Sequence, residues 1–452
     1  MSSNDTIFAL SSGPPPAAVA VIRISGPNAR FGLETLIHRL PEPRRASLAK
    51  LRDPATGTVL DEGLALWFPG PRSETGEDMV ELQLHGGRAV IAATLAALGR
   101  INGLRPAGPG EFTRRALENG RMDLTAVEGL ADLIFAETEA QRRQAMRQLQ
   151  GALGERVEDW RKRLIDGMAM VEARIDFSDE ADVPEDLLGP ALATARSLRE
   201  EILGALADDH RGERLRDGLT IAIAGPPNAG KSSLLNRIAR REAAIVSPYP
   251  GTTRDVIEVH LDLDGYPATV LDTAGIRDPE DPVEQEGVRR ALARAHAADL
   301  VLWVMDASLK GQAAQSSPDG DRGGVWIVRN KLDLVPSESK GGGAVDRSGR
   351  RAFAISAQTG AGIDTLVAAL AEHAQQVFVL GEPSIVTRAR HRAALTETVD
   401  ALERAIEQGS RGQEDLVAEE LRLAARRLGR ITGRVDVEDI LDVIFRDFCI
   451  GK

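Results

Sequence analysis

The stretch that most constrains this chain is Gly225-Pro-Pro-Asn-Ala-Gly-Lys-Ser232. The apolar run Leu219-Thr-Ile-Ala-Ile-Ala224 precedes it and Ser233-Leu-Leu-Asn-Arg-Ile238 follows. Strand, glycine loop and helix in that order let backbone N–H groups and a helix N-terminus gather around phosphate oxygens. The spacing assigns Lys231 to the β- and γ-phosphates and the Ser232 hydroxyl to Mg²⁺, with Asn228, Ala229, Gly230 and Ser233 completing the cradle. A tight glycine turn would explain the octet alone, but the motifs downstream decide against it.

Four further motifs follow in order. Gly251-Thr-Thr-Arg-Asp255 offers a threonine hydroxyl, from Thr252 or Thr253, to Mg²⁺ and backbone contacts to a γ-phosphate. Thr269-Val-Leu-Asp-Thr-Ala-Gly275 reads as a strand ending in Asp-x-x-Gly. Asp272 holds the Mg²⁺ water shell there, Thr273 and Ala274 pass the nucleotide, and the Gly275 N–H senses the γ-phosphate. Asn330-Lys331-Leu-Asp333 follows the strand Val325–Val328. Asp333 can accept from guanine N1–H and N2–H₂. Adenine has no donor at either place and would leave a buried carboxylate unpaired, a discrimination of about 10⁴-fold. Ser356-Ala357, after Phe353–Ile355, presents a backbone N–H to guanine O6. Together the five motifs specify a guanine-nucleotide-binding α/β domain of the Ras-like P-loop type.

The residue after Gly275 is Ile276, where Ras-like proteins carry a water-orienting glutamine. An apolar side chain cannot orient water, so another group must. Glu284 and Glu286, in Asp281-Pro-Val-Glu-Gln-Glu286, are both candidates on the sequence alone. No arginine finger can be identified from spacing. Asn228 offers a side-chain carbonyl beside the phosphates, suited to a monovalent cation in an arginine's place.

At 452 residues the chain predicts two or three domains. A balance of 56 Lys+Arg against 68 Asp+Glu argues against a broadly basic, nucleic-acid-coating surface but leaves room for a local patch. The single cysteine, Cys449, rules out an intrachain disulfide and fits a reducing compartment. Without a signal-peptide pattern or an apolar run of the roughly 18–20 residues that span a membrane, a cytoplasmic location is expected.

Upstream, Ala17–Ile24, Leu64–Phe68 and the alternating Val80–Leu84 read as strands and Ala89–Ile101 as a helix, giving a mixed α+β domain. His85 reads as a strand-end residue, with acid–base work as the alternative. Arg23, on an otherwise apolar strand, requires a carboxylate from protein or ligand. Leu149, Leu153, Val157, Trp160, Leu164, Met168, Val171 and Ile175 form a seam near a 3.5-residue period, which predicts one long bundle helix ended by Phe177–Pro184. Leu192–Leu206 reads as a second helix, Asp208–Asp217 as a charged connector, and 388–430 as a further helical stretch. Gly311–Gly324 and Ser337–Arg350 read as surface loops.

The ending Phe448-Cys-Ile-Gly-Lys452, the glycine loop, Gly251–Asp255, Gly110-Glu-Phe-Thr-Arg-Arg-Ala116 and Leu66-Trp-Phe-Pro-Gly70 together resemble the bacterial tRNA modification GTPases of the MnmE (TrmE) family, among the TrmE-Era-EngA-like GTPases. The resemblance runs from Asn4 to the last residue. It implies an α+β domain over 1–120 that dimerises and binds folate, a helical domain in two parts, 121–216 and 379–452, and a G domain, 217–378, inserted between them. It implies a homodimer and GTP hydrolysis stimulated by K⁺, with Asn228, Ser247, Tyr249 and Thr252 at the K⁺ and Ser232 and Thr253 at Mg²⁺. Glu284 matches the family's water-orienting glutamate, which lifts it above Glu286. Arg23, Glu81, Arg121 and Lys452 would line a site for a reduced folate (5-formyl- or 5,10-methylene-tetrahydrofolate). Arg121 stands where a lysine is expected, and Tyr249 and Pro250 also depart from the pattern. Cys449 is a candidate thiol. The flavoprotein MnmG is the implied partner, and the reaction places an aminomethyl-type group on C5 of the wobble uridine of certain tRNAs. An Era-like ribosome-assembly GTPase is the alternative, and a folate-dependent one-carbon transferase regulated by its G domain is a third reading.

Overall fold

The computed structural model describes residues 5–176, 187–208, 210–240, 244–245, 258–272, 298–309, 324–335, 350–379, 384–435, 441, 444–445, 448 and 450–451. It is a multidomain mixed α/β protein that divides into two compact units. Among the described residues no helix is long and apolar enough to cross a membrane.

The first unit comprises Met1–Ala131, Gln148–Leu198 and Glu397–Lys452. Its sheet contains β1 (Thr6–Leu10), β2 (Ala17–Ser25), β3 (Ser47–Arg52), β4 (Val59–Phe68), β5 (Met79–Gly86) and β6 (Leu104–Pro106), in the order β3-β4-β5-β2-β1-β6. Only the β1–β6 pairing is parallel. Alternation decides the faces. Ile22, Ile24, Val80, Leu82 and Leu84 are buried against Leu33 and Leu36 of helix Ala29–Ile37 and Leu98 of helix Arg88–Gly99. Each such side chain contributes about 1.5–3 kcal/mol by leaving water. The intervening positions carry Arg23 paired in register with Glu81, and Leu48 opposite an exposed Leu64.

The long helix expected from the apolar seam forms over most of it, and only the first residues of the seam fall outside. Leu149 closes the helix Glu139–Leu149, and the next helix runs Gly154–Asp176. Gly151 lies between them at φ +94°, a left-handed conformation costly for any residue with a Cβ, and no continuous helix passes through it. The rest of the seam behaves as read: Leu153, Val157, Trp160, Leu164 and Val171 are buried, and the helix packs on Glu414–Thr432. The 388–430 stretch is helical as expected, in two helices, Ala389–Ser410 and Glu414–Thr432. The segment read as ending the seam lies outside the described residues.

The second unit comprises Asp132–Arg147 and Arg199–Thr396. Its sheet contains β7 (Leu219–Ala224), β8 (Glu258–Leu263), β9 (Tyr266–Asp272), β10 (Leu300–Asp306), β11 (Gly324–Asn330) and β12 (Ala352–Ala354), ordered β12-β11-β10-β7-β9-β8. All neighbours are parallel except the edge strand β8. The core gathers β7 with Leu234, Leu235 and Ile238 of helix Lys231–Ala239 and Leu366 and Leu370 of helix Ile363–Val379, which explains the unbroken apolar reading of β7. In such a sheet, ligands gather at the carboxyl ends of the strands.

The charged connector carries a helix at Arg211–Asp217. Arg392 donates to Leu206 O (3.0 Å), Asp208 Oδ1 (2.6 Å) and Glu213 Oε2 (3.2 Å), and Ser384 Oγ donates to Asp208. A Cβ on Gly212 would come within 2.2 Å of Val386 O, so the two stretches touch backbone to backbone. Burial pushes the Asp208 carboxyl up, but the Ser384 and Arg392 hydrogen bonds outweigh it and hold its pKa below the ordinary value.

Candidate functional site

The phosphate loop leaves the carboxyl end of β7. Asn228 adopts φ 59°, a left-handed conformation its short polar side chain tolerates. Gly230 sits at φ +91°, and a Cβ there would lie 2.3 Å from Asn330 Nδ2, so glycine lets the loop close on its neighbour. Lys231 opens the following helix and is 9% exposed. Its Nζ donates to Gly225 O and Pro226 O, each at 2.9 Å, which places the ammonium inside the loop. Ser232 Oγ donates to Asp272 Oδ2 at 2.7 Å, and Asp272 is 1% exposed. A hydroxyl beside a buried carboxylate is the hard-oxygen donor set that Mg²⁺ takes, so these residues fit that ion.

The base-recognition motifs close onto the same loop. Asn330 Nδ2 donates to Ala229 O at 2.9 Å, while its Oδ1 accepts from the Ala357 N–H at 2.9 Å. Ser356 Oγ donates to Asp333 Oδ1. The Ser356 N–H is taken by Ala361 O (2.9 Å), so guanine O6 would share the Ala357 N–H with Asn330 or displace it.

One participant had no sequence signal. Asp306, at the end of β10, accepts from Lys331 Nζ at 2.7 Å and from the Ser308 N–H and hydroxyl at 2.9 and 2.6 Å. It carries no motif and looks like any strand-end acid. Burial raises its carboxyl pKa, but the hydrogen bonds from Lys331 and Ser308 lower it further, and the net is below the ordinary value. A depressed carboxylate stabilises the fold above its unfolded pKa and loses that contribution as pH falls through the folded one. Asp306→Asn is therefore expected to melt a few degrees lower than the unaltered chain at pH 7. The gap should close as pH drops below the ordinary carboxylate range near ~4. Melting curves across that range check it, and a gap independent of pH would exclude the ion pair as its source.

In the first unit, Arg23 finds its carboxylates within the protein. Nη2 meets Glu81 Oε1 at 2.8 Å and Nη1 meets Glu74 Oε2 at 2.9 Å, with the guanidinium 5.8 Å from the Phe112 ring centroid. The stem of Arg121 lies against Gly76, where a Cβ would come within 3.3 Å of its Cγ. The sequence reading missed Arg115, which is 3% exposed and bonds Asp5 (2.8 Å), Glu77 (3.1 Å) and Glu111 (3.3 Å). Its only signal was its place in Gly110–Ala116. His85 is a strand-end residue with Nδ1 2.8 Å from Asp61 Oδ1, its side chain largely in solvent. Ser247, Tyr249, Thr252, Thr253, Thr273, Ala274, Gly275, Glu284, Glu286, Cys449 and Lys452 lie outside the described residues.

Two family profiles match the chain: the GTP-binding protein TrmE N-terminus over residues 6–121 and the MnmE helical domain over 124–449. A tRNA modification GTPase MnmE of Rhodopseudomonas palustris (strain BisB18) is 57% identical over 454 residues, covering all of both chains. Those of Bradyrhizobium sp. (strain ORS 278) and Parvibaculum lavamentivorans (strain DS-1) are each 56% identical, covering 99% of this chain and 99% and 100% of theirs. With its phosphate loop, its guanine motifs and this likeness from end to end, the chain belongs to the MnmE family of tRNA modification GTPases.

Proposed function

We propose that this GTP hydrolase works, with K⁺ stimulation and the flavoprotein MnmG, to place a carboxymethylaminomethyl or aminomethyl group on C5 of wobble uridine 34 of certain tRNAs, in the cytoplasm. The observation that carries the nucleotide part is the Asn330 amide, hydrogen-bonded at once to the phosphate loop and to Ala357. It makes phosphate and base recognition one construction. The tRNA part rests on the family.

Lys231 holds the β- and γ-phosphates, Asp333 takes the guanine N1–H and N2–H₂, and Gly275 senses the γ-phosphate. Ser232 and Thr253 would hold Mg²⁺, with Asp272 on its water shell, and Asn228, Ser247, Tyr249 and Thr252 would hold K⁺. Those ions supply positive charge that offsets the charge building on the transferred phosphoryl group. Glu284 orients the attacking water, the task Ile276 cannot do.

Arg23, Glu81, Arg121 and Lys452 would hold the reduced folate. The Arg23–Glu81 pair supports this, because a carboxylate backed by a guanidinium suits the 2-amino edge of a pteridine. The exposed Leu48, Leu64 and Val19 of the first unit's sheet suit a homodimer interface. The domain division is 1–120, 121–216, 217–378 and 379–452. The Era-like alternative is weaker, because the matches to the N-terminal and helical profiles span the chain around the G domain.

Complementation of a deletion strain tests the function. The chain should restore wobble-uridine modification in tRNA nucleoside digests, and Glu284→Ala should not. In parallel, purified protein should turn over GTP faster in KCl than in NaCl. Unaltered nucleosides in the deletion strain would refute the tRNA role, and equal rates in both salts would refute the cation.

A further inference from the structure

We infer that Arg237 is a positioning residue for guanine recognition, acting from the phosphate-loop helix on the loop that orients Asp333. This rests on the guanine-nucleotide reading above. Arg237 lies on helix Lys231–Ala239, beyond the residues that cradle phosphate. Its Nε donates to Ala357 O at 2.8 Å, and its Nη2 donates to Gln358 O. The planar fork thus spans two successive carbonyls, a geometry that a lysine ammonium cannot reproduce. Those carbonyls belong to the loop whose Ser356 Oγ bonds Asp333 and whose Ala357 N–H bonds Asn330.

A closed circuit results. It runs from the helix through Arg237 to Ala357, through the Asn330 amide to Ala229 O, and back through the phosphate loop to the helix. The loop Ser356-Ala-Gln-Thr-Gly-Ala361 has no charged residue of its own. Its carbonyls receive the full positive charge of Arg237, in hydrogen bonds stronger than neutral ones. The circuit ties the carboxylate that reads the base to the helix that carries the phosphates. Without Arg237 the Asn330 arm survives, but the outer side of the loop is released and Ser356 no longer holds Asp333 in one orientation.

The test uses the full chain and two variants, Arg237→Met and Arg237→Lys, with GDP and IDP as probes. IDP lacks the 2-amino group that Asp333 accepts. In Arg237→Met the GDP dissociation constant should rise about tenfold, roughly the worth of one charge-assisted hydrogen bond. IDP affinity should fall less, so the preference for GDP over IDP narrows. The loss should sit in KM for GTP rather than in kcat, and Arg237→Lys should recover part of it. Simple damage to the fold would lower the melting temperature and weaken both nucleotides alike. An unchanged GDP affinity, or equal losses for GDP and IDP, overturns the inference. If the unaltered chain itself fails to prefer GDP over IDP, the guanine reading falls, which is a separate result.

Discussion

Lys231→Ala is expected to lower single-turnover GTP hydrolysis by about 10³-fold, the scale set by removing one preorganised charge from a phosphoryl or oxyanion site. The loss has two sources. The phosphates lose a buried point charge that water cannot replace, because Lys231 is itself only 9% exposed. The loop also loses the cation that draws the Gly225 and Pro226 carbonyls inward. Arginine should not rescue, since its fork needs more room than one ammonium between those two carbonyls. Rapid-quench hydrolysis and fluorescent-GDP titration read the two parts separately. A rate within tenfold of the unaltered chain would remove Lys231 from the machinery.

Asp333→Asn should change which base is bound. The carboxamide presents a donor where the carboxylate had an acceptor, so guanine N2–H₂ meets N–H instead of oxygen. GTP affinity should fall by about 10³-fold or more, the scale of discrimination by a site built on specific hydrogen bonds. Xanthine carries a carbonyl at C2 and should now be preferred. The substitution is small, and asparagine can still accept from Ser356 Oγ, so the loop keeps its shape. Competition between GTP and XTP measures the switch. Retention of the GTP preference would mean that Asp333 does not read the base.

The motifs were legible because each needs particular residues at a fixed spacing on a strand end. β7, β9 and β11 deliver Lys231, Asp272 and Asn330 as the sequence implied. The long bundle helix is legible from Val157 to Ile175, and the seam overreaches only at its start, because apolar periodicity does not register a break such as the one at Gly151. Leu149 ends one helix and Leu153 stands just before the next, with Gly151 in the left-handed region between them. Asp306 and Arg237 were invisible for a different reason. Their partners, Lys331 and the carbonyls of Ala357 and Gln358, are distant in sequence, and no local pattern announces an ion pair between strands or a helix side chain reaching a loop backbone. Arg23 was half legible: its need for a carboxylate was read, and the fold supplied two.

The Arg392 clamp has an architectural consequence. It bonds Leu206 O and Asp208, and Gly212 touches Val386, so the chain leaving at one point and returning more than a hundred residues later does so at nearly the same place. A segment whose two ends coincide is a plug-in part. Its ends lie close enough for a short linker to bridge in its place. Arg392, Asp208 and Ser384 are the clasp that holds the two ends of that segment together.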